Sequence, residues 1–281
     1  MRLGIAITPK HTSPSEWAEK LHNMGCRAAA LPCDYRTDDA TINAYVQACR
    51  DHDLVIAEVK GWCNPMDPDP DKRAENVRYC QKQLQLAEDV GANCCVNIAG
   101  ACGEIWDGGY PENYSEATYQ RIVETTREII DAVNPTRTFY TLEPMPWMVP
   151  DSPESYLQLL KDVDRPGFAV HMDIVNMISS PERFFLNTAF IETCFELLGP
   201  YTKSCHIKDS RLERVLTFTV KETACGDGSL DIVRYAELAD QTNPDMPFII
   251  EHLTTEEEYV ASIRYLHELL AGKVGGLVPG Q

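Results

Sequence analysis

The chain has 281 residues, enough for one large domain or two small ones. Its composition, 44% hydrophobic and 24% charged, is that of a soluble globular protein, and it holds no run of about eighteen apolar residues that could cross a membrane. The net charge of −18, without any cluster of Lys or Arg, opposes binding to DNA, RNA or anionic membranes, whose phosphates call for a basic patch.

The first apolar run, Leu3–Thr8, is too short for a signal-peptide core and is expected to be a strand. Further strands are expected at 26–32, 55–60, 94–100, 139–144, 168–173, 203–209 and 247–253. Helical patterns lie near 14–24, 38–52, 71–90, 115–133, 153–163, 182–198, 229–241 and 255–271. Ser13-Pro14, Ser152-Pro153 and Ser180-Pro181 each place a capping hydroxyl before a first-turn proline. Gly25 and Gly91 stand where helices stop before strands. Eight strand–helix units in a row imply a parallel sheet closed into an α/β, (β/α)8 TIM barrel, a single domain over residues 1–271. The Gly/Pro-rich residues 272–281 are expected to form a flexible C-terminal tail. The 11 cysteines are irregularly spaced, with no Cys-x-x-Cys, and are expected to be reduced thiols of a cytoplasmic protein.

Four residues close consecutive strands in the second half: Glu143, Asp173, His206 and Glu251. A buried carboxylate without a partner is costly, so their common placement points to one divalent cation at the C-terminal mouth of the barrel. Three carboxylates and an imidazole favour Mn²⁺ or Mg²⁺, with Zn²⁺ and Co²⁺ also compatible. The competing explanation is a set of structural ion pairs, with Lys60 and Lys208 neutralising two carboxylates. Side-chain alternation puts His171 one layer beneath Asp173, and sets Ser204, His206 and Lys208 on one face. Glu58 and Lys60 end the third strand on a shared face, either as substrate contacts or as a structural pair. Asn97 is expected near the site or as a satisfied core amide, Glu222 in a mouth loop, and His252 facing away from the mouth. Long loops at 61–70, 100–114 and 210–228 carry Trp62, Trp106, Tyr110, Tyr114 and Phe218, which could stack on a sugar or an aglycone or pack on themselves.

The segments Leu142-Glu143-Pro144, Met172-Asp173, Cys205-His206-Ile207-Lys208-Asp209, Gly226-Asp227-Gly228 and Ile250-Glu251-His252 resemble the xylose-isomerase-like barrel superfamily, in its sugar isomerase/epimerase branch, over roughly residues 1–271. The resemblance implies a cation held by Glu143, Asp173, His206 and Glu251. Glu143 and Glu251 would also move a proton next to a carbonyl of a sugar or small hydroxy-keto compound. Asn176, Asp209 and Glu222, close to these residues in the strand ends and mouth loops, are counted with the candidate substrate-binding or supporting residues. Val149, Asn176 and Leu212 depart from the glutamate, histidine and arginine that ketose epimerases carry there, so the residues that read the sugar differ. Related C-glycoside deglycosidases, which act with a partner subunit on 3-keto glycosides, are the alternative; a non-catalytic metal- or sugar-binding barrel is a lesser one. The resemblance leaves a homo-oligomer open.

Overall fold

A computed structural model describes residues 1–275 and Leu277. Strands β1 (Arg2–Ile5), β2 (Ala28–Ala30), β3 (Val55–Lys60), β4 (Cys94–Asn97), β5 (Tyr140–Leu142), β6 (Phe168–Asp173) and β7 (Thr202–Ile207) alternate with helices. These are α1 (Pro14–Asn23), α2 (Asp39–Asp51), α3 (Pro70–Val90), α4 (Glu116–Val133), α5 (Pro153–Val163), α6 (Pro181–Phe185) and α7 (Asn187–Leu198). A hairpin, β8 (Asp209–Leu212) and β9 (Val220–Thr223), precedes α8 (Ile232–Thr242), β10 (Pro247–Ile250) and α9 (Glu256–Leu270). Strands β1–β7 and β10 pair in parallel as a closed barrel in the order β1-β10-β7-β6-β5-β4-β3-β2. The chain is thus a single (β/α)8 barrel. No helix among the described residues is long and apolar enough to cross a membrane.

The helix starts follow their local chemistry. Ser13, Ser152 and Ser180 accept from the backbone N–H of Glu16, Ser155 and Arg183. Gly91 caps α3 at φ 72°, a left-handed conformation that glycine adopts without Cβ strain. The helix expected over 182–198 is two, because Leu186 leaves helical geometry between α6 and α7. The strands are shorter than expected at most mouth ends. Of the expected tail, Gly275 N–H donates to Asp240 Oδ2 (2.9 Å) and Leu277 packs on the core; residues 276 and 278–281 lie outside the described residues. All eleven cysteines are free; Cys33, Cys63 and Cys102 are half-buried and the others buried.

Two features position the mouth. At β2/β3 the register shifts, so that Ala29 faces Ile56 but Ala30 faces Glu58, a bulge that re-aims the strand end next to Glu58. The second feature is the β8–β9 hairpin, which replaces part of the loop expected at 210–228. Its base is stapled by Asp209, whose carboxylate accepts from the backbone N–H of Ser210, Gly226, Gly228 and Leu230 at 2.7–3.1 Å. Asp209 is therefore no substrate contact. Alternation past inward Lys208 turns it outward, where it satisfies backbone donors. A Cβ at Gly228 would lie 2.2 Å from Asp209 Oδ1, which explains the glycine. Asp209→Ala leaves these donors unpaired, those of Ser210 and Leu230 buried, and is expected to cost about 3 kcal/mol of stability. An unchanged urea midpoint would show that the staple carries no stability.

Candidate metal centre and mouth cavity

The register brings the strand ends to one level. Asp173 faces His206, and His206 faces Ile249. Glu143 and Glu251 lie one residue beyond β5 and β10, yet their N–H groups still bond to neighbouring strands, to Asn97 O (2.7 Å) and Ile207 O (3.3 Å). As a result Glu143, Asp173, His206 and Glu251 each offer a ligand atom within 4.8 Å of the others, and all four are buried. His206 Nδ1 lies 2.8 Å from Glu251 Oε2 and 3.5 Å from Glu143 Oε1, but it hydrogen-bonds to neither.

The neighbours hold these groups in place. Asp173 Oδ1 accepts from Asn176 N–H (3.0 Å), and Asn176 Nδ2 donates to Glu143 Oε1 (2.9 Å). Lys208 Nζ donates to Asp173 Oδ2 (2.8 Å) and Glu251 Oε1 (2.5 Å) and lies 3.2 Å from Glu222 Oε1. One layer down, Glu58 Oε1 accepts from Ser204 Oγ (2.7 Å), and its Oε2 lies 3.4 Å from His206 Nε2. His171 packs edge-on to His206 with ring centroids 4.1 Å apart; Glu58 Oε1 is 3.7 Å from its Nδ1, and neither ring nitrogen has a hydrogen-bond partner. Glu58, His171 and His206 form a second, overlapping group of possible ligands.

Charge is concentrated here. Burial opposes a charged His206, but Glu251, Glu58 and Glu143 outweigh it and raise its pKa well above the usual imidazole range. Burial lowers His171 to about 4, with His206 adding to the effect, so His171 is neutral. Burial, with Glu251 and Glu143, pushes Asp173 up against the opposing pull of Lys208. Burial also disfavours the Lys208 ammonium, yet Asp173, Glu251 and Glu222 hold it charged.

Above this floor opens a cavity of about 1110 Å³. Glu58, Lys60, Trp62, Trp106, Glu143, Asn176, His206, Glu222 and Glu251 line it, so these expected residues do meet. Asp173, Lys208 and His171 lie within or beneath the cluster. Asn97 does not reach the cavity: it shares the outward face of β4 with Cys95, accepts from Cys63 N–H and lies 3.4 Å from the Tyr140 hydroxyl. It is the satisfied core amide, not a site residue. Lys60 Nζ donates to Ala6 O (2.7 Å) and makes no close ion pair among the described residues, whereas Lys208 pairs with Asp173 and Glu251. His252 is the residue that sequence reasoning placed wrongly. Alternation turns it away from the mouth, but φ 57° reverses it, so that it lines the cavity with Nδ1 2.7 Å from Glu222 Oε2. No pattern in the sequence signals that reversal.

The family model for the xylose isomerase-like TIM barrel matches residues 18–269. The chain belongs to that family. No curated protein sequence matches this member. Solved structures share its barrel at low identity. A D-psicose 3-epimerase with D-tagatose from Clostridium cellulolyticum H10 has TM-score 0.69 at 14% identity over 96% of this chain and 98% of that one. A 3-keto-D-glucoside 4-epimerase from E. coli has TM-score 0.69 at 15% identity over 95% and 99%. A xylose isomerase-like TIM barrel protein from Mycobacterium smegmatis, in complex with magnesium, has TM-score 0.68 at 16% identity over 94% and 91%. At these identities the likeness is one of fold.

Lys208 is the one ammonium paired with carboxylates of the four-residue cluster among the described residues. Lys208→Met is expected to destabilise the metal-free protein by about 3–5 kcal/mol, because it strands buried charge. Equal urea midpoints for variant and wild type would mean that the carboxylates are neutralised in another way.

Proposed function

We propose that this barrel is a divalent-cation-dependent isomerase or epimerase, moving a proton beside a carbonyl of a sugar or small hydroxy-keto compound. The observation that carries the reading is His206 Nδ1, which is buried, unbonded and aimed among Glu143 and Glu251 within a four-donor cluster. The four buried carboxylates, the Lys208 ammonium and a dication would leave about −1, which suits an uncharged polyol better than an anion. The oxygen-rich donors favour Mn²⁺ or Mg²⁺ over Zn²⁺ or Co²⁺.

Glu143, Asp173, His206 and Glu251 would hold the cation. When bound, it polarises the substrate carbonyl and raises the acidity of the neighbouring C–H. Glu143 and Glu251 then carry the proton. Asn176 occupies Glu143 Oε1 and Lys208 occupies Glu251 Oε1, which fixes each carboxylate and leaves it a second oxygen for proton transfer. Glu58 Oε2, 3.4 Å from His206 Nε2, would accept its N–H and leave Nδ1 free to hold the cation. Lys60, Glu222, Trp62 and Trp106 face the substrate. Solved neighbours named as epimerases support this chemistry. The aromatic walls favour a second reading, elimination on a keto-glycoside after removal of the same proton; release of a free aglycone would separate the two. The free thiols suit a reducing compartment such as the cytoplasm.

Elemental analysis is expected to find about one divalent ion per chain, lost in His206→Ala. Exchange of a keto-sugar C–H in heavy water, followed by NMR, is expected to fall by roughly 10²–10⁴-fold in Glu143→Gln and in Glu251→Gln. Metal-free protein after incubation with Mn²⁺ and Zn²⁺ would end the proposal. Glu58→Gln is expected to weaken cation affinity by about 10–100-fold in competition with a chromophoric chelator; unchanged affinity would remove Glu58 from the centre.

A further inference from the structure

We infer that Cys63 and Cys80 are an oxidation site, a dithiol that hydrogen peroxide closes to a disulfide and a small thiol reopens. The site stands apart from the cation centre and from the isomerase reading.

Proximity comes first. Cys80 shares the buried face of α3 with Val77 and Leu84, and so meets the loop that leaves β3, where Cys63 lies. The fold sets their sulfurs 3.3 Å apart, the one hydrogen bond between two cysteine sulfurs among the described residues.

The pair is also prepared for ionisation. Asn97 Nδ2 (3.4 Å) and the Tyr140 hydroxyl (3.6 Å) donate to Cys80 Sγ, as the Cys63 thiol can. Burial pushes Cys26 up to about 12. Cys80 is no less buried, yet it is lowered below the usual thiol range, because the hydrogen bond from Cys63, with those from Tyr140 and Asn97, outweighs burial. The hydrogen bond to Cys80, with burial, raises Cys63, so the second proton stays on the pair. The two sulfurs thus share one proton, and passing it across their contact puts the negative charge on either.

Access is one-sided. Cys80 is buried, whereas Cys63 is half-buried and lines a surface pocket of about 630 Å³ with Tyr35, Asn76 and Tyr79. With the charge on Cys63, its sulfur attacks the peroxide. An S–O bond forms, the O–O bond breaks, and the leaving hydroxide takes the Cys80 proton to become water. The Cys80 thiolate then attacks the Cys63 sulfur. The S–S bond forms, the S–O bond breaks, and the second hydroxide takes a proton from solvent. Two thiols and one peroxide give one disulfide and two waters, with two electrons passing from sulfur to oxygen. A small thiol reverses the step by exchange. Trp62, next to Cys63, lines both this pocket and the mouth cavity, so the state of the dithiol reaches the wall of the mouth.

The test is oxidation of the folded chain with hydrogen peroxide, followed by alkylation and peptide mass spectrometry. A disulfide joining Cys63 to Cys80, removed by dithiothreitol, is expected. It should form at least about ten-fold faster than Cys33 or Cys102, the other half-buried thiols, are oxidised. In Cys80→Ser the sulfenic acid on Cys63 has no partner and is expected to persist, trapped by dimedone. Denatured chain oxidised alongside is expected to lose the preference. The inference is overturned if both thiols of the folded wild type stay alkylatable, if the bridge joins other cysteines, or if Cys63 reacts no faster than Cys33. Each of these outcomes is read on wild type and holds whether or not the variant folds.

Discussion

Four buried carboxylates, Glu58, Glu143, Asp173 and Glu251, converge within one end of the barrel. Uncompensated, such a group cannot be kept ionised out of water. The Lys208 ammonium answers two of them directly, His206 stands between three, and Asn176 and Ser204 supply neutral donors. The rest of the mouth follows from this requirement. The bulge beside Glu58 brings a carboxylate from the far side of the barrel to His206, and the hairpin after Lys208 delivers Glu222 to the same ammonium. A dication in the four-donor set would offset most of the charge that a single lysine leaves uncompensated.

Rigidity and reach are divided between scaffold and loops. The four residues that could hold a cation are on strand ends or one residue beyond, where the ladder still fixes their backbone. Groups that shape the larger cavity come from loops, each tied by its own polar staple: Asp209 under the hairpin, Asn113 beneath the tryptophan rim. The departures at Asn176 and Leu212 fit that division: Asn176 orients Glu143, and exposed Leu212 belongs to the hairpin.

The strands, the parallel order and the four-residue cluster were legible in the sequence because each rests on local rules. Apolar runs with β-branched and aromatic residues make strands, alternation assigns faces, and capping serines before prolines start helices. Alternation correctly grouped His171 with Asp173, and Ser204 with His206 and Lys208. Applied one residue further, it would also have turned Asp209 out of the site. Asn97 was ambiguous only because no face had been assigned to its strand.

What the sequence by itself determined about this protein is the barrel and the convergence of Glu143, Asp173, His206 and Glu251, since strand order in a parallel barrel fixes which ends are neighbours. Tertiary structure alone decided the rest. The bulge at β3, the left-handed turn that swings His252 into the mouth, the hairpin hidden in a loop and the pairing of Trp147 with Asp107 all depend on contacts between segments distant in the chain. In each case the local backbone or side chain answers to a partner elsewhere in the fold, and no local pattern encodes where that partner will be.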